Sequence, residues 1–107
     1  MSCETTRWPE GLTVELYAFG SEPRRDEVAE TPSVLAWHRA QEVFADSNVR
    51  LCYASIDADL EYAYWMSMWK FPAFRVVLKG REIGRTNAVF ASAEKLEEWM
   101  RDIILRA

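Results

Sequence analysis

Cysteine and histidine are the side chains best suited to redox, nucleophilic or metal chemistry, and this sequence has few of them. Its two cysteines, Cys3 and Cys52, are separated by almost half the chain and form neither a CxxC pair nor a metal-type spacing. His38 is the only histidine, which argues against a histidine-based metal centre or catalytic triad. Cys52 lies in a strand-like run, where a free cysteine typically acts as a small buried hydrophobe. We therefore expect no catalytic residue, metal or cofactor among these side chains.

A second group with chemical potential is the polar segment Ser21-Glu22-Pro23-Arg24-Arg25, which combines a hydroxyl group with two cations. If a helix began at Ser21, its N-terminal N–H groups and the two arginines would favour an anion there. Glu22 and Asp26 oppose that positive charge, and charge runs of this kind are usually solvated faces. Anion binding and a solvated face both remain open for this segment.

The elements that would position these residues follow the order β-α-β-α-β-β-α. A first strand is predicted over residues 13–19, closing at Gly20, and a second over 49–56. A hairpin over 74–89 turns at Gly80. This order predicts a three-layer α/β/α domain in which a parallel pair of strands adjoins an antiparallel hairpin in one mixed sheet.

Three helices are predicted to cover both faces of that sheet. The first is capped by Thr31, has Pro32 at its first position and runs to about Asp46. A short helix follows Asp57, and Ser92 caps the last one. The last helix carries the clearest amphipathic stripe in the chain, formed by Leu96, Trp99, Met100, Ile103 and Ile104.

Length, composition and charge narrow the class of protein. The 107 residues are half hydrophobic, enough for one core, so we expect a lead-in over 1–11 tied down by Trp8 and one domain over 12–107. A net charge of −4 with interspersed acids and bases argues against a nucleic-acid partner. No apolar run approaches the ~20 residues of a membrane span, and the N-terminus lacks the apolar core of a signal peptide. We therefore expect a cytoplasmic protein without membrane contact.

From about residue 12 to residue 106, the order of elements and several sequence pieces resemble the thioredoxin family. Phe71-Pro72 matches the family's cis-proline step, residues 79–82 match its hairpin turn, and residues 92–99 match the start of its terminal helix. Ile56-Asp57 matches the end of the family's second central strand. The resemblance implies a thioredoxin-like fold with a cis peptide bond between Phe71 and Pro72.

The chain departs from the family where the reactive cysteines should be, since it has Ser21 and Arg24 there and keeps only the motif's proline, as Pro23. Thiol–disulfide exchange needs one thiol to attack and a second to release the mixed disulfide. The resemblance therefore implies a redox-inactive member, with enzyme activity uncertain and dithiol oxidoreductase activity not expected. Glu15 aligns with the family's buried acid, and without a thiol to serve we interpret it as structural or solvated. Val89 replaces a small glycine and would fill part of the family's substrate groove.

The resemblance further implies a chaperone-like or scaffold module that binds another protein at the old active-site edge, formed by residues 19–25, 69–73 and 88–89. Large aromatic residues crowd this region, and tryptophan and tyrosine are enriched in binding hot spots. Trp69 and Phe71 would supply apolar anchors, while the arginines would supply orientation and association rate. The predicted partner-binding residues are Phe19, Ser21, Glu22, Pro23, Arg24, Arg25, Trp69, Phe71, Pro72, Ala73 and Val89.

Two alternatives remain open. Serine-type glutathione transferases share the fold, so Ser21 with Arg24 and Arg25 would bind glutathione or another anion, although those enzymes carry a second helical domain that these 107 residues lack. The other alternative is a specialised non-catalytic relative, such as the thioredoxin-like maturation chaperones of hydrogenases. The identity of the partner and self-association into a homo-oligomer are also open.

Overall fold

A computed structural model describes residues 8–28, 31–57, 70–87 and 89–107. Four strands form one sheet in the order β2-β1-β3-β4; β1 is parallel to β2, and β3 is antiparallel to both β1 and β4. The short helix predicted after Asp57 falls in 58–69, outside the described residues. The described elements are β1 (Leu12–Ala18), α1 (Pro32–Phe44), β2 (Arg50–Ser55), β3 (Ala73–Leu78), β4 (Arg81–Thr86) and α2 (Ala93–Arg106).

One face of the sheet carries the main hydrophobic core. Strands alternate their side chains between faces, and on this face Leu16 and Phe74 come from the two central strands. Both described helices pack here, α1 through residues that include Trp37 and Phe44. The amphipathic stripe predicted for the last helix is confirmed, since Leu96, Met100 and Ile103 are buried while Trp99 and Ile104 are partly buried against the core.

Both described helices begin at the predicted caps. The Oγ1 atom of Thr31 accepts a hydrogen bond from the Val34 N–H at 3.3 Å, and the Ser92 hydroxyl does the same for the Lys95 N–H at 3.2 Å. Each bond satisfies one N–H group that has no partner inside its helix. At 13 and 14 residues, α1 and α2 are too short and too polar to cross a bilayer.

The β3–β4 hairpin turns through Lys79 and Gly80, both of which have positive φ, the pattern of the type I′ turn that matches strand twist. The peptide bond between Phe71 and Pro72 is cis, as predicted. Strand β4 was predicted to continue to residue 89, but it ends at Thr86. Thr86 pairs with Phe74, and only Ala73 of β3 lies beyond that pair before Pro72, which has no N–H group to donate.

A bulge separates the two halves of this hairpin. Val76 pairs with Gly84 and Val77 pairs with Glu82, which leaves Ile83 as an extra residue in β4. Because an extra residue reverses the alternation of side chains, Glu82 emerges on the same face as Arg85. The bulge therefore makes a side-chain contact between these two residues possible within one strand.

Trp8, which was predicted to tie down the lead-in, packs into the main core. The Trp8 side chain is 3% exposed, with its ring 5.4 Å from that of Phe44 and the Arg101 guanidinium 4.3 Å from its centroid. The Asn48 side chain accepts from the Trp8 N–H at 3.1 Å and donates to the Trp8 carbonyl at 2.7 Å. Both polar groups of this otherwise irregular backbone are therefore satisfied by one side chain.

Candidate functional site

The loop that follows β1 is anchored to the end of β2. The Gly20 N–H donates to the Asp57 carboxylate at 2.7 Å, and the Tyr53 hydroxyl donates to the Gly20 carbonyl at 3.2 Å. The φ of Gly20 is +90°, a conformation that glycine adopts without steric cost. Burial, and then the negative charges of Asp57 and Glu22, raise the pKa of Tyr53, so its hydroxyl remains a hydrogen-bond donor. These contacts fix the backbone beside Phe19.

Phe19 and Phe71 form an aromatic pair at this end of the sheet. Their ring centroids are 5.4 Å apart at an interplanar angle of 84°, the favourable edge-to-face arrangement. The Phe19 side chain is 59% exposed, whereas Phe71 is half-buried and packs against buried Tyr17 and Ile56. The exposed ring of Phe19 therefore rests on Phe71, which packs against a core cluster.

The segment after Gly20 contains no helix over residues 21–28, so the idea that Ser21 lies at a helix N-terminus is wrong. Helix α1 begins at Pro32, and its N-cap is Thr31 rather than Ser21: the Thr31 hydroxyl accepts a hydrogen bond from the Val34 N–H group. The anion alternative required a helix start at Ser21, but the residues after it form local turns, and the helix begins at the predicted Thr31 cap. Without the helix, the dipole argument for an anion at Ser21 no longer applies.

The two arginines of this segment have different neighbours. Arg24 forms an ion pair with Asp26 at 3.5 Å, and its backbone N–H donates to the Glu27 carboxylate at 3.1 Å. Arg25 instead lines a separate depression of about 380 Å³ beside α1, together with His38 and other residues. The charges of Arg24 and Arg25 are therefore directed to different parts of the surface.

The predicted partner-binding residues differ in what they can offer a partner. Buried residues can shape a surface but contribute little contact area. Trp69 lies outside the described residues, as does Ala88 of the predicted edge. Ser21, Glu22, Arg24, Arg25 and Val89 are exposed with Phe19, whereas Pro23, Pro72 and Ala73 are buried.

On the face of β1 opposite Leu16, Glu15 belongs to a chain of ion pairs rather than to an acid–base site. Its carboxylate accepts from Arg75 Nη1 at 2.8 Å and from the Tyr17 hydroxyl at 3.0 Å. Arg75 Nε donates to Glu82 at 2.7 Å, and Glu82 also accepts two hydrogen bonds from Arg85. Of the two interpretations of Glu15, structural or solvated, the structural one fits these contacts.

Two pKa directions follow from this chain of charges. The hydrogen bond from Arg85, opposed by burial and reinforced by Arg75, lowers the pKa of Glu82 below its ordinary value. Burial alone would lower the pKa of Arg75, but hydrogen bonds to Glu82 and Glu15 outweigh it and raise that pKa. Both side chains therefore hold their charges more firmly than they would in water.

Neither thiol chemistry nor a metal site is assembled in the part of the chain that the structure describes. Cys52 is a free thiol on β2, half-buried rather than fully buried, and it lies opposite Glu15 in the parallel register. Cys3 lies outside the described residues. Within the described ranges, no three histidine, cysteine, aspartate or glutamate residues are grouped closely enough to hold a metal ion.

Sequence reasoning missed Tyr53 as a residue of the site, and it recognised Asp57 only as the end of a strand and a cap for a short helix. Tyr53 lies in the second half of β2 and Asp57 follows its end. Because β2 is parallel to β1, both reach the loop that leaves the same end of β1. The parallel pairing was itself predicted. Parallel strands end at the same edge of a sheet, so the predicted pairing could have indicated that Tyr53 and Asp57 lie near the loop after β1.

The architecture is that of solved thioredoxins. A mutant thioredoxin from Halobacterium salinarum superposes with a TM-score of 0.65 at 8% identity, covering 87% of this chain and 74% of that chain. Oxidised thioredoxin from Plasmodium falciparum gives 0.57 at 9%, covering 86% and 80%, and thioredoxin NaTrxh from Nicotiana alata gives 0.54 at 17%, covering 92% and 78%. No protein-family model and no curated protein matches the sequence. At these identities the comparison defines the class by its fold, which is thioredoxin-like.

Proposed function

We propose that this chain is a redox-inactive, thioredoxin-family interaction module that binds a partner protein at the edge formed by residues 19–25, 69–73 and 88–89. The observation that carries the proposal is the Phe19–Phe71 pair, in which a 59% exposed ring rests edge-on against a half-buried one. Exposed aromatic rings held in place before binding supply contact area at a low entropic cost. Ser21 and Arg24 at the positions of the reactive cysteines argue that this edge serves recognition rather than thiol exchange.

The backbone around the pair supports the same proposal. Gly20 is fixed by Asp57 and Tyr53, and Phe71 packs against a buried core cluster. A partner therefore meets residues that are already held in place at Gly20 and Phe71, which reduces the free energy lost on binding. Chaperone or scaffold function in the cytoplasm is part of this proposal, and it rests on the same surface.

Replacing Phe19 by alanine is expected to weaken partner binding by about 2 kcal/mol, roughly a 30-fold increase in Kd. The loss follows from removing an aromatic ring that is 59% exposed while leaving Phe71 in the core cluster. The measurement is quantitative mass spectrometry of proteins retained from the native cell by immobilised wild type and variants, followed by titration of the purified partner.

The matched control is Leu105→Ala, because Leu105 is an equally apolar side chain that is 85% exposed on α2 and is not part of the edge. We expect this variant to retain the same partner with unchanged Kd. A partner that binds wild type and Phe19→Ala equally well, yet is lost from Leu105→Ala, would place the interface elsewhere and refute the proposal.

No reduction of insulin disulfides is expected when dithiothreitol or thioredoxin reductase supplies the electrons. Attack requires an accessible thiolate, and release requires a second thiol beside it. Cys52 is half-buried within β2, away from the loop that carries Ser21 and Arg24. The turbidity of precipitating insulin measures the reaction, and turnover above the buffer blank that disappears in Cys52→Ser would contradict the expectation.

A further inference from the structure

Strand β4 forms one edge of the sheet. On one side it pairs with β3, and no other strand in the described ranges pairs with its second side. An edge strand presents backbone N–H and C=O groups to which another extended chain can pair. β4 is therefore suited to strand addition, a recurring mode of peptide recognition.

A groove of about 440 Å³ runs between β4 and the C-terminal half of α2. Its apolar lining includes Ile83, Trp99 and Ile103. Gly84 also lines it, and a Cβ atom at Gly84 would lie 2.8 Å from Ile103 Cδ1, so the helix contacts the strand directly at this point. The volume lies within the range of about 300–1,000 Å³ that is typical of ligand sites. The groove can therefore receive side chains from a segment paired to β4.

More cationic than anionic side chains line the groove, although the whole chain carries −4. The cations are Arg81, Arg85 and Arg106, of which Arg106 also pairs with Asp102. Glu82 is also in the lining, but its carboxylate already accepts hydrogen bonds from Arg75 and Arg85. The Arg81 side chain is exposed and forms no ion pair within the described part of the chain. The surface beside the β4 edge is therefore complementary to negative charge.

We propose that the β4 edge and this groove bind an extended acidic segment of a protein partner. The segment adds to β4 as a fifth strand of the described sheet, places apolar side chains against Trp99 and Ile103, and sets its carboxylates near Arg81 and Arg106. This surface shares no residue with the Phe19–Phe71 edge, so the proposal goes beyond the function proposed above. Charge complementarity favours an acidic partner over a second copy of this chain, because pairing β4 with its own copy would bring the arginines of both grooves to one interface.

The probe is a dye-labelled, acetylated peptide of alternating glutamate and valine, about eight residues long, the length of an ordinary strand. Fluorescence anisotropy measures its Kd, and amide shifts in the isotope-labelled full chain locate it. We expect shifts concentrated in 81–86 and 99–107. We also expect Kd to rise about tenfold in Arg81→Glu, further in the double variant with Arg106→Glu, and with added salt.

Lys95→Glu is the matched control, because it makes the same charge reversal at an exposed site of α2 outside the groove. Its Kd should stay within about twofold of the wild-type value, as expected for a surface charge away from a contact. Phe19→Ala should bind the peptide like wild type, so a failed Phe19 edge and a failed groove are distinguishable. Circular dichroism of each variant verifies folding.

Three results would overturn the proposal. The first is the absence of amide shifts in 81–86 at millimolar peptide. The second is equal binding of a peptide in which lysine replaces every glutamate, because the arginines would then play no part. The third is a dimer in sedimentation that Arg81→Glu dissociates, because the edge would then hold a second copy of the chain.

Discussion

Trp8→Ala is expected to lower the free energy of unfolding by about 4 kcal/mol, within the usual range for deleting a buried tryptophan side chain. The loss combines burial of the indole with its contact on Phe44 and the guanidinium of Arg101 above it. A domain of this size is stabilised by only about 5–15 kcal/mol in total. Urea denaturation followed by far-ultraviolet circular dichroism measures the change, and Tm should fall by about 15 °C or more.

Two further variants in the same experiment separate the stability contributed by the Trp8 ring from that contributed by the hydrogen bonds of its backbone. Trp8→Phe keeps an aromatic ring against Phe44 and should recover more than half of the lost stability. Asn48→Ala leaves the ring in place and removes the two hydrogen bonds to the Trp8 backbone, at a cost of about 1–2 kcal/mol. A Trp8→Ala protein within about 1 kcal/mol of wild type would show that the lead-in is not part of the domain.

Arg75→Met is expected to cost about 2–3 kcal/mol of unfolding free energy. Arg75 is the central cation between Glu15 and Glu82, and all three side chains are less than one-third exposed. Methionine retains the apolar stem but leaves the two carboxylates without the charge between them, and hydrogen bonds to charged groups contribute about 1.5–3 kcal/mol. Arg106→Met is the comparison, because Arg106 pairs with Asp102 at an exposed site where about 0.5 kcal/mol is expected.

The pH dependence distinguishes loss of these ion pairs from simple loss of packing. The pKa of Glu82 is lower in the folded chain than its ordinary value of 4.5, so its stabilisation is complete above that value and is lost as pH falls through the lowered pKa. The gap between wild type and Arg75→Met should therefore narrow under acid. A gap that stays constant from neutral pH to acid would assign the loss to packing instead.

Local chemistry made much of the fold predictable from the sequence. Thr31 and Ser92 cap helices because each hydroxyl oxygen accepts a hydrogen bond from the backbone N–H group three residues later. Gly80 lies in a turn because glycine readily adopts positive φ. The bulge at Ile83 was not predicted, because it is decided by how β4 pairs with β3 rather than by β4 itself. The chain of charges from Glu15 to Arg85 depends on that bulge and on cross-strand register, so it was missed with it.

The candidate site was predictable only in part, for a similar reason. Resemblance located Phe19 and Phe71 at one edge, and the structure brings their rings together. The anion alternative required a helix start at Ser21, whereas the charged residues that follow bond with one another and the helix begins at Pro32, as predicted. Interactions such as that of Gly20 with Asp57 join residues far apart in the chain, and no local pattern specifies them.

The loop between β1 and α1 is fixed at both ends while its middle bonds to itself. Gly20 is held at one end and Thr31 at the other, whereas Arg24 contacts Asp26 and Glu27 rather than the sheet. Doubling the length of a flexible loop costs only about 0.6 kcal/mol in closure entropy. We therefore expect the chain to accept loop grafting: a foreign recognition sequence inserted after buried Pro23 should leave the hydrogen bonds of Gly20 and Thr31 in place.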